Sequence, residues 1–247
     1  DKNMSSGFVA GTLVHTDKGL VPIQNLQVGD YVLSYSINEN ETQFKKILRV
    51  LDSSKTVIYR IIYIDNQENY IQGEKIKAKA LFVAENHQFW IEEIKCWKSV
   101  QDFVEYETVI SSLKTNKGNT VVSTYPVFAI EVNECDVISS KNIMQIEKIG
   151  HCTQENLRPD IDAILFSNIN GIQIHKYENW KELFDVDYDL KVINIEMIES
   201  LENLDINTSP NFFNTEIYNI EVEDCHNYFV GHDGILVGDS TIQGNNE

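Results

Sequence analysis

The chain has 247 residues, 42% of them hydrophobic. That is enough apolar material for one large or two small packed bodies, and it excludes global disorder. A net charge of −18 with only three arginines (Arg49, Arg60, Arg158) argues against phosphate backbones or anionic lipid as partners, because like charges repel.

Residues 8–132 read as strand-rich. Tyr31-Val32-Leu33 follows a Gly29-Asp30 reversal. The run Thr56–Ile64 is β-branched and aromatic, and Asp65–Asn69 marks a turn after it. Leu81–Ala84, Phe89–Ile91, Thr120–Ser123 and Val127–Val132 are further strand candidates. Short strands separated by polar turns predict a mainly β fold.

Residues 133–211 differ. They hold 15 acidic and 6 basic residues, half of the whole net charge. Tyr177, Trp180, Leu183 and Phe184 fall at helical spacing within Lys176–Phe184, and Ile195, Ile198, Leu201 and Leu204 recur every third residue. The span reads as an inserted subdomain, mixed or helical, closed by the turn-rich Asn207–Asn211. Strand character returns at Ile217–Val222, and Tyr228–Val230 and Ile235–Val237 flank a Gly231–Gly234 turn as a hairpin would.

The four cysteines, Cys96, Cys135, Cys152 and Cys225, form no Cys-x-x-Cys pair. They read as free, mostly buried thiols rather than as a disulfide frame or a zinc site. Cys225 and His226 are adjacent, with His232 nearby, but adjacent residues rarely chelate one ion, so no metal is expected. No run reaches membrane-spanning length, and Asp1–Ser6 has no signal-peptide pattern. Met4 is not at the first position, so the chain reads as part of something longer.

Two segments carry most of the information. One is Gly7-Phe8-Val9-Ala10-Gly11-Thr12 with the Val21–Ser34 run behind it. The other is Ile217–Gly231, closing on Gly234–Ser240. Together they resemble the Hint (hedgehog/intein) family, most closely the pretoxin Hint modules of bacterial polymorphic toxins. The resemblance covers residues 7–34, 81–103 and 216–239 well. It implies a Hint β body made of residues 7–132 and 212–239, with 133–211 inserted and 1–6 and 240–247 as flanking segments. It requires Phe8 and Val237 to meet in one pocket. It also implies backbone self-cleavage, which needs a pre-positioned nucleophile and a polarised carbonyl.

Four family positions are altered. Gly7 stands where the resemblance puts a cysteine nucleophile, so no acyl shift onto sulfur is available at Ser6–Gly7. The Ser6 hydroxyl is one residue too early to replace it. Ala84 stands for the threonine of Thr-x-x-His, while His87, which relatives use to polarise the upstream amide, remains. Without the resemblance, His87 reads as a packed structural residue. His226 inherits the downstream-assisting role, or is a plain turn residue. Gly238 and Asp239 replace His-Asn, and Ser240 follows the cut site. An aspartate can cyclise only through oxygen, a poorer path than asparagine's.

The resemblance therefore implies a degenerate self-processing domain within a larger exported bacterial toxin polypeptide. Upstream cleavage is lost, and downstream cleavage is lost or slow. Two alternatives stay open: a non-catalytic spacer, docking or chaperoning domain for toxin cargo, and a downstream self-cleaver using Asp239 and Ser240. The substitutions read as natural loss or as deliberate trapping of a precursor, and their variety fits loss better. No cofactor is implied. Partners are the flanking toxin and carrier polypeptide in cis, with a protein partner for 133–211. Nucleic acid is not expected, since that span lacks the basic face a DNA-cutting insertion needs.

Overall fold

The computed structural model describes residues 6–68, 78–130, 137–138, 143–144, 148–152, 162–167, 171–176 and 214–243. The chain divides into two compact units, Asp1–Thr124 with Thr215–Glu247, and Tyr125–Asn214.

In the first unit the strands are β1 (Phe8–Val9), β2 (Leu13–Thr16), β3 (Gly19–Pro22), β4 (Tyr31–Ser36) and β5 (Glu41–Asp65). Then come β6 (Ala78–Ala84), β7 (Gln88–Ile91), β8 (Cys96–Ser99), β9 (Val109–Ile110) and β10 (Asn119–Pro126). The unit is completed by the strands after the second unit, which are taken up below. As the sequence indicates, the fold is mainly β.

In the second unit, apart from Val127, the end of β10 and Asn214, the described residues form six strands. They are β11 (Phe128–Ile130), β12 (Val137–Ile138), β13 (Ile143–Met144), β14 (Lys148–Cys152), β15 (Asp162–Ser167) and β16 (Gly171–Lys176). β11, β14, β15 and β16 form an antiparallel sheet in that order, and β12 pairs with β13. Lys176 therefore ends a strand rather than starting a helix. The helical spacing at Tyr177–Phe184 and Ile195–Leu204 lies outside the described residues.

The chain then returns to the first unit as β17 (Asn214–Val222), β18 (Asn227–Val230) and β19 (Ile235–Gly238). The sheet runs β17-β1-β6-β5-β4-β2-β18-β19-β7-β8. β5 has 25 residues and serves two neighbours. Glu41–Lys46 pairs with β4, and Ile58–Ile64 pairs with β6. Sequence reading found only the second half, because Lys45, Lys46 and Arg49 break the apolar pattern of the first.

The core explains the uninterrupted apolar run of the last hairpin. Side chains alternate between the faces of a strand. Tyr228, Val230, Ile235 and Val237 enter the main core with Phe8, Ile61 and Phe89. Phe229 and Leu236 enter a second cluster with Trp90 on the other face. The hairpin is thus buried on both sides, as solid apolar strands are. Gly234 sits in its turn at φ +67, and a Cβ there would come within 2.6 Å of Leu113.

Cys96 and Cys225 are free, as expected, but half-buried rather than buried. The expectation for Cys135 and for the Cys152 side chain lies outside the described residues. No helix among the described residues is long and apolar enough to cross a membrane.

Asn227 ties the hairpin to β4. Its side chain is fully buried, accepts from the Tyr35 N–H at 2.8 Å and donates to the Tyr35 carbonyl at 2.8 Å. It imitates a neighbouring strand at a point where the ladder has none. Asn227→Ala should therefore lower unfolding free energy by about 2–3 kcal/mol, since it strands two backbone groups. Urea denaturation checks this, and a loss below about 0.5 kcal/mol would mean that water satisfies Tyr35 instead.

Candidate functional site

β17 is buried at both its odd and its even positions. Thr215, Ile217 and Asn219 are buried on the odd ones, while Tyr218, Ile220 and Val222 pack on the main core from the even ones. The consecutive residues Asn219 and Ile220 hold the two ends of the module. Asn219 Nδ2 donates to the Ser6 carbonyl at 3.2 Å and to Ser6 Oγ at 3.0 Å. The Ile220 carbonyl accepts from the Ser240 N–H at 2.9 Å. The bonds Ser6–Gly7 and Asp239–Ser240 are thereby brought to adjacent residues of one strand.

At the upstream junction, Asn219 is itself fixed. Its Oδ1 accepts from the Tyr228 hydroxyl at 2.8 Å and from the Ile220 N–H at 2.9 Å. Tyr228 is fully buried, and burial, then the nearby charge of Asp239, pushes its phenol well above the ordinary value. The hydroxyl is thus a committed donor. It orients the Asn219 amide so that its N–H points at the Ser6 carbonyl.

Gly7 has no side chain, and its backbone is shaped for having none. It sits at φ +154, and a Cβ there would lie 2.5 Å from the Tyr218 carbonyl oxygen. Its own carbonyl accepts from the Ala84 N–H at 3.0 Å. Phe8 pairs with both Tyr218 and Val83. A residue clamped between two strands cannot easily shift to admit a thiol.

At the downstream junction, Asp239 is buried and its carboxylate is enclosed by donors. Oδ2 accepts from the Val222 N–H at 2.8 Å and faces His226 Nδ1 at 3.2 Å. Oδ1 accepts from the Thr241 N–H at 2.8 Å and the Thr241 hydroxyl at 2.5 Å. The bond to the second residue onward makes an Asx turn. Both oxygens meet a backbone N–H, which can only donate. An asparagine would have to aim its own NH₂ at one of them. The site is built for a carboxylate.

His226 reaches this group through unusual backbone. It adopts φ +53 and Asp224 adopts φ +60, left-handed values tolerated best by short polar residues and histidine. In that conformation the His226 carbonyl accepts from the Asp239 N–H at 2.9 Å. Gly238 precedes the junction at the end of β19. A Cβ there would meet the Ile242 side chain at 2.9 Å, because the chain after the junction folds back over it.

His87 lies in an aromatic box. Its ring centroid is 4.4 Å from Phe8, 5.9 Å from Phe89 and 6.5 Å from Tyr228. Phe89 also pairs with Val237, so Phe8 and Val237 share one core through it. The imidazole is fully buried, and burial pushes it down to about 3. The Gly238 backbone approaches and opposes that shift, but neither ring nitrogen has a partner of good geometry. The ring is a neutral packing element at ordinary pH.

Of the residues singled out from sequence, Gly7, Ala84 and His87 gather with Phe8, and His226, Gly238, Asp239 and Ser240 form the downstream group. Asn219, Tyr228, Val222 and Thr241 were missed. Only Asn219 left a signal, a polar residue set among the apolar residues of a strand. Among the described residues, no three of His, Cys, Asp and Glu could hold a metal.

No family model matches the chain, and no curated protein does. Among solved structures, it is similar to a bacterial intein-like domain from Clostridium thermocellum, with 16% identity, TM-score 0.45, and coverage of 95% of this chain and 99% of that one. It is also similar to a DnaB intein from Synechocystis, at 11% identity and TM-score 0.48 with 95% and 99% covered. A third is a DnaX mini intein from Spirulina platensis, at 13% identity and TM-score 0.42 with 94% and 99% covered.

Burial of His87 generates a pH effect. Its folded pKa, about 3, lies below the ordinary 6.5, so between these values only the unfolded chain takes up the proton. Stability therefore falls as pH drops through 6.5 towards 3, by ~1.4 kcal/mol per unit at most. His87→Phe keeps the box and removes the titration. Between pH 7 and 5, the parent should lose about 2 kcal/mol more than the variant in urea unfolding. Equal losses would show that the imidazole is not buried neutral.

Proposed function

We propose that the first unit is a Hint-type self-processing module of the pretoxin kind, embedded in a larger exported bacterial polypeptide. In this reading the Ser6–Gly7 junction has lost its chemistry, and the Asp239–Ser240 junction is silent or slow. The flanking toxin and carrier segments are its partners in cis, and the acidic second unit takes a protein partner.

The observation that supports this most is the pairing of both junctions on Asn219 and Ile220. A fold with no history of processing has no need to bring residues 6 and 240 to one strand, or to aim an amide donor at a main-chain carbonyl. The motif residues around both junctions add to it. The fit of the backbone to Gly7 favours a substitution native to the chain over one introduced into a cysteine-bearing site.

A second reading is favoured by the Asp239 network. A carboxylate held by donors on both oxygens makes a good structural clamp. A module serving only to hold its flanks together would look the same there.

Intact mass of the chain with native flanks, followed over days, tests the proposal. The Ser6–Gly7 bond should stay whole, and any break should fall after Asp239. A break before Gly7 would sink the upstream reading. A second step asks whether the scaffold can still be revived. Gly238→His with Asp239→Asn should restore a downstream break. The cost is local: the chain must move at Ile242, whose Cβ would lie 2.9 Å from the new Cβ, and the Val222 or the Thr241 N–H is left without its acceptor. Adding Gly7→Cys should not restore the upstream break, because the Tyr218 backbone stands in the way. A folded double variant that stays whole favours the holding role.

A further inference from the structure

We propose that Thr241, the second residue after the downstream junction, is a positioning residue that restrains cleavage there. The proposal rests on reading Asp239–Ser240 as a cut site. In such a cut, one carboxyl oxygen of Asp239 bonds to the Asp239 carbonyl carbon. The C–N bond to Ser240 breaks, and its nitrogen takes a proton from solvent and leaves as an amine. Water then opens the cyclic anhydride to a C-terminal aspartate.

That attack needs an oxygen with an available lone pair, on a side chain free to turn. Thr241 opposes both requirements. Its N–H at 2.8 Å and its hydroxyl at 2.5 Å converge on Asp239 Oδ1. Hydrogen bonds to an ionised group are the strong ones, and they draw density from the lone pairs that would attack. The Thr241 hydroxyl also lies 3.2 Å from His226 Nδ1, which itself faces Oδ2. Threonine thus bridges the carboxylate and the histidine, closing the network on its open side.

The remaining holders differ in where they belong. The Val222 N–H sits on β17 and His226 at the start of the last hairpin, so both stay with the module. Thr241 belongs to the segment that a cut would release. Every residue except proline offers the N–H at this place, but only serine or threonine offers a short hydroxyl. The downstream partner thereby carries part of the restraint on its own release. Residue 241 becomes a determinant of which downstream segments stay attached.

The test uses the full chain with its native flanks, compared with Thr241→Val, which keeps shape and N–H, and Thr241→Ser, which keeps the hydroxyl. Intact mass is followed over days, and hydrogen exchange is read at the amides of residues 241 and 242. Thr241→Val should lose protection there and break after Asp239 about tenfold faster than the parent. Thr241→Ser should match the parent in both. Unchanged protection and rate in Thr241→Val would overturn the proposal and leave the cut-site reading standing. Lost protection with no break in any protein would overturn both. A serine variant that behaves like the valine one would also overturn the role of the hydroxyl.

Discussion

Two consecutive residues of β17 carry the arrangement on which the site depends. Asn219 reaches the Ser6 carbonyl with its side chain, and Ile220 reaches the Ser240 N–H with its main chain. Both residues are buried because this part of β17 is covered on its two faces: Tyr218, Ile220 and Val222 pack on the main core, while Ile217 and Asn219 are buried on the alternate positions. One strand thus holds both ends of the module, one through a side chain and one through a main-chain carbonyl, and the buried Tyr228 hydroxyl fixes the first of these contacts.

The two junctions are stabilised by different means. Upstream, the hold is in the main chain. Gly7 lies at φ +154 with the Tyr218 carbonyl where a Cβ would be, and its own carbonyl is bound to Ala84. Such conformations cost of order 1–3 kcal/mol for any residue but glycine. Downstream, the hold is in side-chain hydrogen bonds around Asp239. The backbone there is ordinary, and the left-handed geometry falls instead on Asp224 and His226 in the turn before β18.

Much of the first unit was legible because β-branched and aromatic runs bounded by polar turns report strands directly. The end segments were legible because their residue identities are specific. What escaped was non-local. The first half of β5 hid behind its lysines, since a solvent-facing strand edge carries charge without losing its pairing. Thr241 and Val222 gave no signal, because a backbone N–H and a flanking threonine acquire meaning only when Asp239 is folded between them. Cys96 and Cys225 were expected to be buried on the general habit of free thiols, yet both lie half-exposed near strand ends. Asn227 was read only as part of a motif, and its pairing with Tyr35 spans 192 residues of sequence.

The difference between the junctions bears on how the proposed loss of activity is stored. An obstacle made of main chain must be removed by moving a strand, and Tyr218 and Val83 both pair with Phe8 beside it. Those pairings belong to the central sheet, so the strain of readmitting a side chain at Gly7 spreads into the core. An obstacle made of hydrogen bonds is removed by changing one side chain. The carboxylate at Asp239 is matched to two backbone donors, so an amide there would leave one of them unanswered, but that cost is local. Under the proposed function, upstream silence is thus held in the main chain of the sheet, and downstream silence in a few side-chain contacts, some of which the segment after Asp239 itself supplies.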